Sequence, residues 1–244
     1  MKAKAELRDR QAQRRRRDNV IASAVTTGAI VVAAVLQGTA FASNPTAAEY
    51  AAAAAGLETP SPAPSATNAP GVPAAETAAG KKFTGTLVLN GKKVGVALDG
   101  AKAPQAAAVF SSLAREGTLE GRTCHRLTTA AAMGILQCGA QDASGASDPS
   151  YTWGPLENTP ADGVYPAGAI AVARTGNNAY GNGQQFFIVY RKSTIPTDEA
   201  GGYTVVGSVT SGLQTVKEIA DRGVASGEDG APVTPVTIDS FTVE

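Results

Sequence analysis

The sequence predicts a mainly β fold for residues 81–244: an eight-stranded antiparallel β-barrel capped by two α-helices. Three observations predict it. Short stretches of alternating apolar residues recur along this part of the chain and are separated by turn signals. Asn90-Gly91 lies between two such stretches and is typical of a hairpin turn. Only two stretches have helical spacing, so we expect the helices to cover the ends of a barrel rather than to form the core.

The first 42 residues have the pattern of a membrane-targeting region. Residues 1–18 carry eight basic and three acidic side chains, and residues 19–42 carry no charge. About 20 apolar residues are enough to span a bilayer, and a basic flank stays in the cytoplasm. We therefore predict a basic cytoplasmic tail at 1–18 and a transmembrane helix or signal peptide at 19–42.

Two interpretations of this segment remain open. Ala40-Phe41-Ala42 resembles a signal-peptidase site, and cleavage there would release a secreted protein. The preferred interpretation is an uncleaved, single-pass anchor in the cell membrane with the C-terminal domain outside, because the apolar stretch is long and its basic flank is strong.

Residues 43–80 are rich in Ala, Pro, Ser and Thr. Such a composition buries too little apolar surface to offset chain entropy. We predict a disordered linker here, followed by the folded domain from residue 81.

The hairpin strands surround Asn90-Gly91, and further strands are predicted at 122–128, 133–138, 168–174, 184–190, 203–209 and 233–243, with a bulge near Ser240. The first helix begins at Pro104 and ends by Gly117. The second is predicted between Ser211, as N-cap, and Arg222, with Gly223 just past its end.

The strand around 184–190 is apolar on both faces. Gln185, Phe187 and Val189 share one face, whereas Phe186 and Ile188 lie on the other, together with Tyr190. A strand of this kind is buried on both sides, and Gln185 would place an amide at the edge of an apolar hollow.

Charge and composition exclude several functions. Residues 81–244 carry thirteen basic and fifteen acidic side chains, which does not suggest a nucleic-acid partner. Two cysteines and one histidine make a structural zinc site improbable, and we expect no metal and no cofactor. Cys124 and Cys138 could form a disulfide outside the membrane or remain as buried free thiols, and both alternatives stay open.

In this order along residues 83–244, the motifs resemble those of a cyclophilin-type peptidyl-prolyl cis-trans isomerase of the bacterial, membrane-anchored or secreted kind. The motifs are Ala103-Pro104, Gly121 to Arg126, Leu136 to Gly139, Ala171 to Arg174, Gly183 to Ile188, Tyr203 to Gly207 and Pro235 to Ile238. The combination of His-Arg, a following Gln-x-Gly and Gly-x-Gln-Phe-Phe is specific, whereas each motif alone is weak.

The resemblance implies a groove on the outer face of the barrel for proline-containing polypeptides, in a protein that we expect to be a monomer. It implies that Arg126 is the catalytic cation and that Gln137 holds the peptide backbone. Phe187 and Val172 would line the proline pocket, with Gln185 beside it. The remaining substrate-binding candidates are Ala173, Arg174, Ile135, Met133 and Tyr203.

Several positions depart from the family pattern. Residues 127–140 are altered, with Ile135 or Met133 as substitutes in the pocket, Arg174 stands in place of an Asn, and Tyr203 matches a His. We therefore keep two hypotheses. The first is an isomerase that assists the folding of extracytoplasmic proteins. The second is a catalytically weak or inactive module that binds proline-containing peptides as a chaperone or scaffold.

Overall fold

Nine strands form one curled antiparallel sheet, a half-barrel with two helices, in the computed structural model, which describes residues 67–244. The predictions for 1–18, 19–42 and 43–66 lie outside the described residues. Among the described residues, no helix is long and apolar enough to cross a membrane.

The hairpin around Asn90-Gly91 opens the sheet, and its turn has both residues at positive φ, 46° and 76°. The elements follow in chain order. The strands are β1 (Lys82–Leu89), β2 (Lys92–Asp99), β3 (Arg126–Thr128), β4 (Ile135–Cys138), β5 (Val164–Tyr165), β6 (Ala169–Arg174), β7 (Asn182–Val189), β8 (Ser193–Thr194), β9 (Val205–Ser211), β10 (Asp229–Gly230) and β11 (Ile238–Val243), and the helices are α1 (Pro104–Arg115) and α2 (Leu213–Asp221). A short 3₁₀ helix, Ala75–Thr77, precedes β1.

The strand order in the sheet is β10-β3-β4-β7-β6-β9-β2-β1-β11, and β5 and β8 form a separate pair. All eight predicted strands are present in the sheet. The predicted count of eight is nevertheless wrong, because β10 adds a ninth strand. A two-residue strand is too short to show an alternating pattern.

The two faces of the sheet bury different side chains. Phe186 and Ile188 of β7 belong to the main core, and Phe187 and Val189 belong to a smaller cluster on the other side. The predicted alternation along this strand is therefore confirmed. Helix α1 packs on the main core, where Phe110 meets Phe186 edge to face at 5.8 Å between ring centroids.

The second helix starts differently from the prediction. Ser211 is the last residue of β9 and pairs with Gly95, so it cannot cap α2. Gly212 is the N-cap, with a φ of 73°, and a Cβ there would lie 2.5 Å from the carbonyl oxygen of Lys93. Only glycine fits this close approach. The predicted bulge near Ser240 is confirmed, because the β1–β11 register shifts between Ser240 and Ile238.

The folded part begins before residue 81, so the predicted linker of 43–80 is too long at its C-terminal end. Ala78 is fully buried in the main core. The Asn68 amide donates to Gln105 Oε1 of α1 at 2.8 Å and accepts from the Gly154 N–H at 3.0 Å. We call residues 68–80 the N-terminal clip. Its Ala- and Pro-rich composition predicts disorder, because the clip is ordered by contacts with the domain and not by a core of its own.

Candidate active site

Two neighbouring strands bring Arg126 and Gln137 together. In the antiparallel register of β3 and β4, these two residues are direct partners. Arg126 Nη1 donates to Gln137 Oε1 at 3.4 Å, a long hydrogen bond. Cys124 and Cys138 form a disulfide next to this pair, the first of the two alternatives for the cysteines. Both cysteines are buried, at 2% and 0% exposure, so the cross-link joins the end of β4 to the segment just before β3 on the core side.

The Arg126 guanidinium is also paired with a carboxylate that the sequence did not indicate. Nε donates to Asp229 Oδ1 at 2.7 Å and Nη2 donates to Oδ2 at 2.6 Å. Such a two-point contact fixes the plane of the guanidinium. The hydrogen bond from Arg126 lowers the pKa of Asp229, and the same bond raises the pKa of Arg126, so both groups stay charged.

A row of amides continues from Gln137 across β7. Gln137 Nε2 donates to Gln185 Oε1 at 2.9 Å, and Gln185 Nε2 donates to the Gly145 carbonyl at 2.9 Å and to Ser147 Oγ at 2.7 Å. Each amide has a fixed orientation, because its partners differ in donor and acceptor character. The polar edge of the site is therefore ordered before any ligand binds.

Beside this polar edge lies a cavity of about 360 Å³. We call it the main cavity. Phe187 forms its apolar floor, and Tyr203 meets Phe187 edge to face at 5.4 Å between ring centroids. Tyr165 supports Phe187 from another side at 6.3 Å. The cavity is lined by Arg126, Met133, Ile135, Gln137, Ala173, Arg174, Phe187, Ile195, Pro196 and Tyr203.

A second cavity of about 230 Å³ shares Gln137, Ala173 and Arg174 with the main cavity. Gln185 lies in its wall, with Ser147, Tyr151 and Thr175 among the other lining residues. The two cavities are thus adjacent parts of one groove, and the three shared residues form the ridge between them.

The structure places eight of the ten predicted catalytic and substrate-binding residues around the main cavity, and Gln185 beside it. Val172 is an exception and requires a correction: it is fully buried in the main core, on the opposite side of β6. Alternation along the strand explains the error. Ala173 lies on the cavity side, so its neighbour Val172 must point into the half-barrel.

Arg174 has a different environment from Arg126. Its side chain is 1% exposed and its fork binds Asp198, with Nη1 donating to Oδ2 at 2.8 Å and Nη2 to Oδ1 at 2.6 Å. Its guanidinium also lies over the Tyr203 ring, 5.1 Å from the centroid. Arg174 therefore builds the cavity wall by holding the segment that carries Asp198 and Tyr203.

His125, next to Arg126, does not line either cavity. Burial is the main cause of its lowered pKa, and the neighbouring Arg126 charge adds to it. Its Nδ1 has no hydrogen-bond partner among the described residues. The loop at Gly145 packs against the ring, since a Cβ there would lie 2.7 Å from His125 Cδ2. A neutral imidazole in this position supports the loop under Gln185.

Sequence reasoning missed four residues of the site: Ile195, Pro196, Asp198 and Asp229. An available signal for Ile195 and Pro196 was the apolar Ile-Pro pair that precedes Tyr203. Asp229 gave no usable signal, because it lies 103 residues from Arg126 in the chain.

The two adjacent cavities form a groove beside Arg126, Gln137 and Gln185. Across residues 67–244, no group of three or more His, Cys, Asp or Glu side chains could hold a metal ion. The groove offers one guanidinium that is held at one edge, two fixed amides and a cavity of about 360 Å³ with Phe187 in its lining. A curled antiparallel sheet with two helices and such a groove defines a cyclophilin-type domain.

Comparison with known proteins agrees. The family described as "Cyclophilin type peptidyl-prolyl cis-trans isomerase/CLD" matches residues 86–243, and the chain belongs to this family. The chain is 36% identical over 171 residues to a probable peptidyl-prolyl cis-trans isomerase B of Mycobacterium leprae (strain TN). This alignment covers 65% of this chain and 56% of that protein. It is 38% identical over 173 residues to the probable isomerase B of Mycobacterium tuberculosis (strain ATCC 25618 / H37Rv), with 65% and 54% covered.

The match thus spans only about half the length of these two relatives. A shorter relative, the peptidyl-prolyl cis-trans isomerase B of Bacillus subtilis (strain 168), is 34% identical over 139 residues, or 57% of this chain and 90% of that protein. Among solved structures, a Cryptosporidium parvum cyclophilin-type isomerase superposes with a TM-score of 0.52 at 20% identity, covering 67% of this chain and 96% of that chain. At this identity the superposition shows the fold alone.

Proposed function

We propose that this protein is a peptidyl-prolyl cis-trans isomerase that accelerates rotation about X-Pro bonds in polypeptides. The observation that carries the proposal is the joint lining of the main cavity by Arg126, Gln137 and Phe187. A proline ring would pack on Phe187, and its amide nitrogen would then face the guanidinium.

The physical chemistry of the reaction suits these groups. Rotation about the peptide bond faces a barrier of about 18–20 kcal/mol, because resonance gives the C–N bond partial double-bond character. Uncatalysed X-Pro isomerisation takes about 10–100 s. In the twisted state the proline nitrogen regains a lone pair and becomes a hydrogen-bond acceptor. A donor that binds this lone pair stabilises the twisted state more than the planar one, which lowers the barrier.

Arg126 can supply this donor. The Nη1 contact with Gln137 is long, so a substrate nitrogen can replace it at little cost. The Gln137 and Gln185 amides would hold the peptide backbone along the ridge between the cavities. The second cavity would then receive side chains that precede the proline. One solved structure with the same fold was determined in the presence of the dipeptide Ala-Pro, a ligand of the size that the main cavity would hold.

Exchange NMR on a proline-containing peptide tests the proposal, because it reports binding and interconversion separately. We expect the full chain to accelerate exchange and Arg126→Ala to lower kcat/KM by roughly 100-fold, the effect of losing one transition-state donor. Arg222→Ala is the matched control, since Arg222 lies at the end of α2, outside the groove. Equal rates for the wild type and Arg126→Ala would contradict the proposal.

A second candidate function has one observation in its favour. Asp229 occupies the Nε–Nη2 edge of the Arg126 guanidinium and offsets its charge, which would suit a module that binds proline-containing peptides without accelerating their rotation. In the same experiment such a module would shift the peptide resonances without increasing the exchange rate. That outcome would favour a chaperone or scaffold.

We further propose that the domain works outside the cytoplasm, on proteins that fold there, and that residues 19–42 anchor it in the cell membrane. The charge pattern of residues 1–42 supports this, as does the Cys124–Cys138 disulfide, because disulfides persist in oxidising compartments. Protease treatment of intact cells, followed by mass spectrometry of the membrane fraction and the medium, tests it. Recovery of a chain that begins after Ala42 in the medium would instead show secretion after cleavage.

We also propose that the folded part is a monomer. Val233 is the only large hydrophobic residue exposed within residues 67–244, at 55% exposure, so this region presents no broad apolar patch for a second copy. Light scattering with size-exclusion chromatography should report the mass of one chain, and a mass of two chains would refute this.

A further inference from the structure

We propose that Asp229 is a positioning residue that holds the Arg126 guanidinium in the orientation required for catalysis. This inference rests on the proposed isomerase function and adds a residue to its machinery. The structural observation is the two-point contact of the Asp229 carboxylate with Nε and Nη2, which leaves Nη1 directed to Gln137 at the edge of the main cavity.

The backbone explains why Asp229 reaches Arg126. Strand β10 pairs with β3, and Asp229 lies opposite Thr128 while Gly230 lies opposite Leu127. Thr128 and Arg126 are two residues apart on one strand, so they share a face. Asp229 is therefore a diagonal neighbour of Arg126 on that face, a distance that long side chains bridge easily. A further backbone bond, from the Thr129 N–H to the Glu228 carbonyl at 2.7 Å, continues this pairing.

The contact holds one edge of the guanidinium and leaves Nη1 on the other side available to a ligand. The carboxylate binds the edge formed by Nε and Nη2, which fixes the torsion angles at the end of the side chain. The remaining nitrogen, Nη1, lies beside the groove and contacts Gln137 only at 3.4 Å. A reacting group that is held in place beforehand loses no orientational freedom during the reaction, and this is a source of rate rather than of substrate affinity.

The exposure of the pair argues that its role concerns the site and not the stability of the fold. The Arg126 and Asp229 side chains are 37% and 47% exposed. Ion pairs with this exposure contribute little to folding. The other bidentate pair of the site, Arg174 with Asp198, contains a buried guanidinium and has a structural reason to exist.

The experiment compares Asp229→Asn with a matched control in the full chain. Asparagine keeps the size of the side chain and removes its charge. We expect kcat, measured by exchange NMR, to fall roughly tenfold with KM changed less than about twofold, since orientation and not binding is lost. The melting temperature should stay within about 2 °C. Glu218→Gln is the control, because it removes a carboxylate of α2 that forms an exposed ion pair with Lys92 of β2. This pair lies outside the groove, so the change should leave kcat unchanged.

Two further measurements separate positioning from a general structural role. In a double-mutant cycle with Arg126→Lys, Asp229→Asn should have less than about a twofold effect, because lysine has no fork to orient. Asp229→Glu should recover part of kcat. Independent losses that multiply in the double variant, or an unchanged kcat in Asp229→Asn, would overturn the inference.

The Nε–H resonance of Arg126 reads out the contact directly, without any activity. We expect a distinct, slowly exchanging ¹⁵N–¹H signal in the wild type that is lost in Asp229→Asn and kept in Glu218→Gln. If the signal is lost but the wild type has no isomerase activity, the proposed function fails and the catalytic role of Asp229 with it, although the contact that holds the guanidinium is real. If the wild type is active and the signal survives in Asp229→Asn, the inference fails and the proposed function stands.

Discussion

Two arginines line the same cavity, and each forms a forked pair with an aspartate, yet the two differ in how many donors they leave free. Arg174 donates from Nε to the Gly202 carbonyl, from Nη1 to Thr175 and Asp198, and from Nη2 to Asp198 and Gly201. All five of its N–H groups are engaged. Arg126 engages three, two with Asp229 and one, weakly, with Gln137.

The difference shows how one residue type serves two roles in a single groove. A guanidinium with every donor satisfied and 1% exposure is a building element, because any movement would leave backbone carbonyls without partners. A guanidinium held at one edge and free at the other can donate to a ligand. Counting free donors therefore separates the candidate catalytic arginine from its neighbour better than distance to the cavity does.

The largest effect that this comparison predicts is on stability. Arg174→Ala should lower the melting temperature by roughly 6–12 °C, because it removes the partner of several groups in and near the core. Arg126→Ala should change it by less than about 2 °C. Thermal unfolding followed by circular dichroism checks both variants together. Similar losses for the two variants would show that both pairs are structural.

A smaller effect is expected at Tyr203, where the surroundings of the two arginines meet. Its ring packs on Phe187 and under the Arg174 guanidinium. Tyr203→Leu should raise KM about three- to fivefold with kcat little changed, because the wall of the proline pocket loosens while Arg126 stays in place. Tyr203→Phe keeps the ring and is the control. A fall in kcat with constant KM in Tyr203→Leu would instead place this residue in the chemical step.

The smallest predicted effect is a loss of folding stability at low pH. Hydrogen bonds from Arg174 hold the pKa of Asp198 well below its usual range, and the bond from Arg126 lowers the pKa of Asp229. A lowered pKa in the folded state stabilises the fold above the unfolded value, near 4 for Asp, and this stabilisation is lost as the pH falls towards the folded value.

The difference in melting temperature between the wild type and Asp198→Asn should accordingly be constant above about pH 5 and shrink below about pH 4. The same difference for Asp229→Asn should be smaller throughout, since that pair is more exposed. Calorimetry from pH 7 to pH 2.5 measures both. A difference that grows as the pH falls would reverse the assigned direction of the shifts.

The sequence predicted those parts of the molecule that rest on local pattern. The hairpin at Asn90-Gly91, helix α1 and the two faces of β7 follow from turn chemistry and periodicity. Arg126, Gln137 and Phe187 lie together because three paired strands carry them, and the motif order indicated this. The alternation of side chains along a strand also places Val172 in the core, since its neighbour Ala173 faces the cavity.

The remaining parts depend on contacts between distant residues. Asp229 reaches Arg126 through a two-residue strand, and Asp198 reaches Arg174 across 24 residues. Neither ion pair produces a periodic pattern in the sequence. The residue type of Ser211 favours a helix cap, whereas the sheet register places it in β9. In each case tertiary pairing overrode the local preference.

The N-terminal clip has a mechanical consequence. The Ala69 N–H donates to the carbonyl of Thr152, a residue in the rim of the second cavity, and Asn68 is bonded to α1 and Gly154. Tension applied at residue 67 would therefore act through Thr152 on the second cavity, whose lining also includes Gln137.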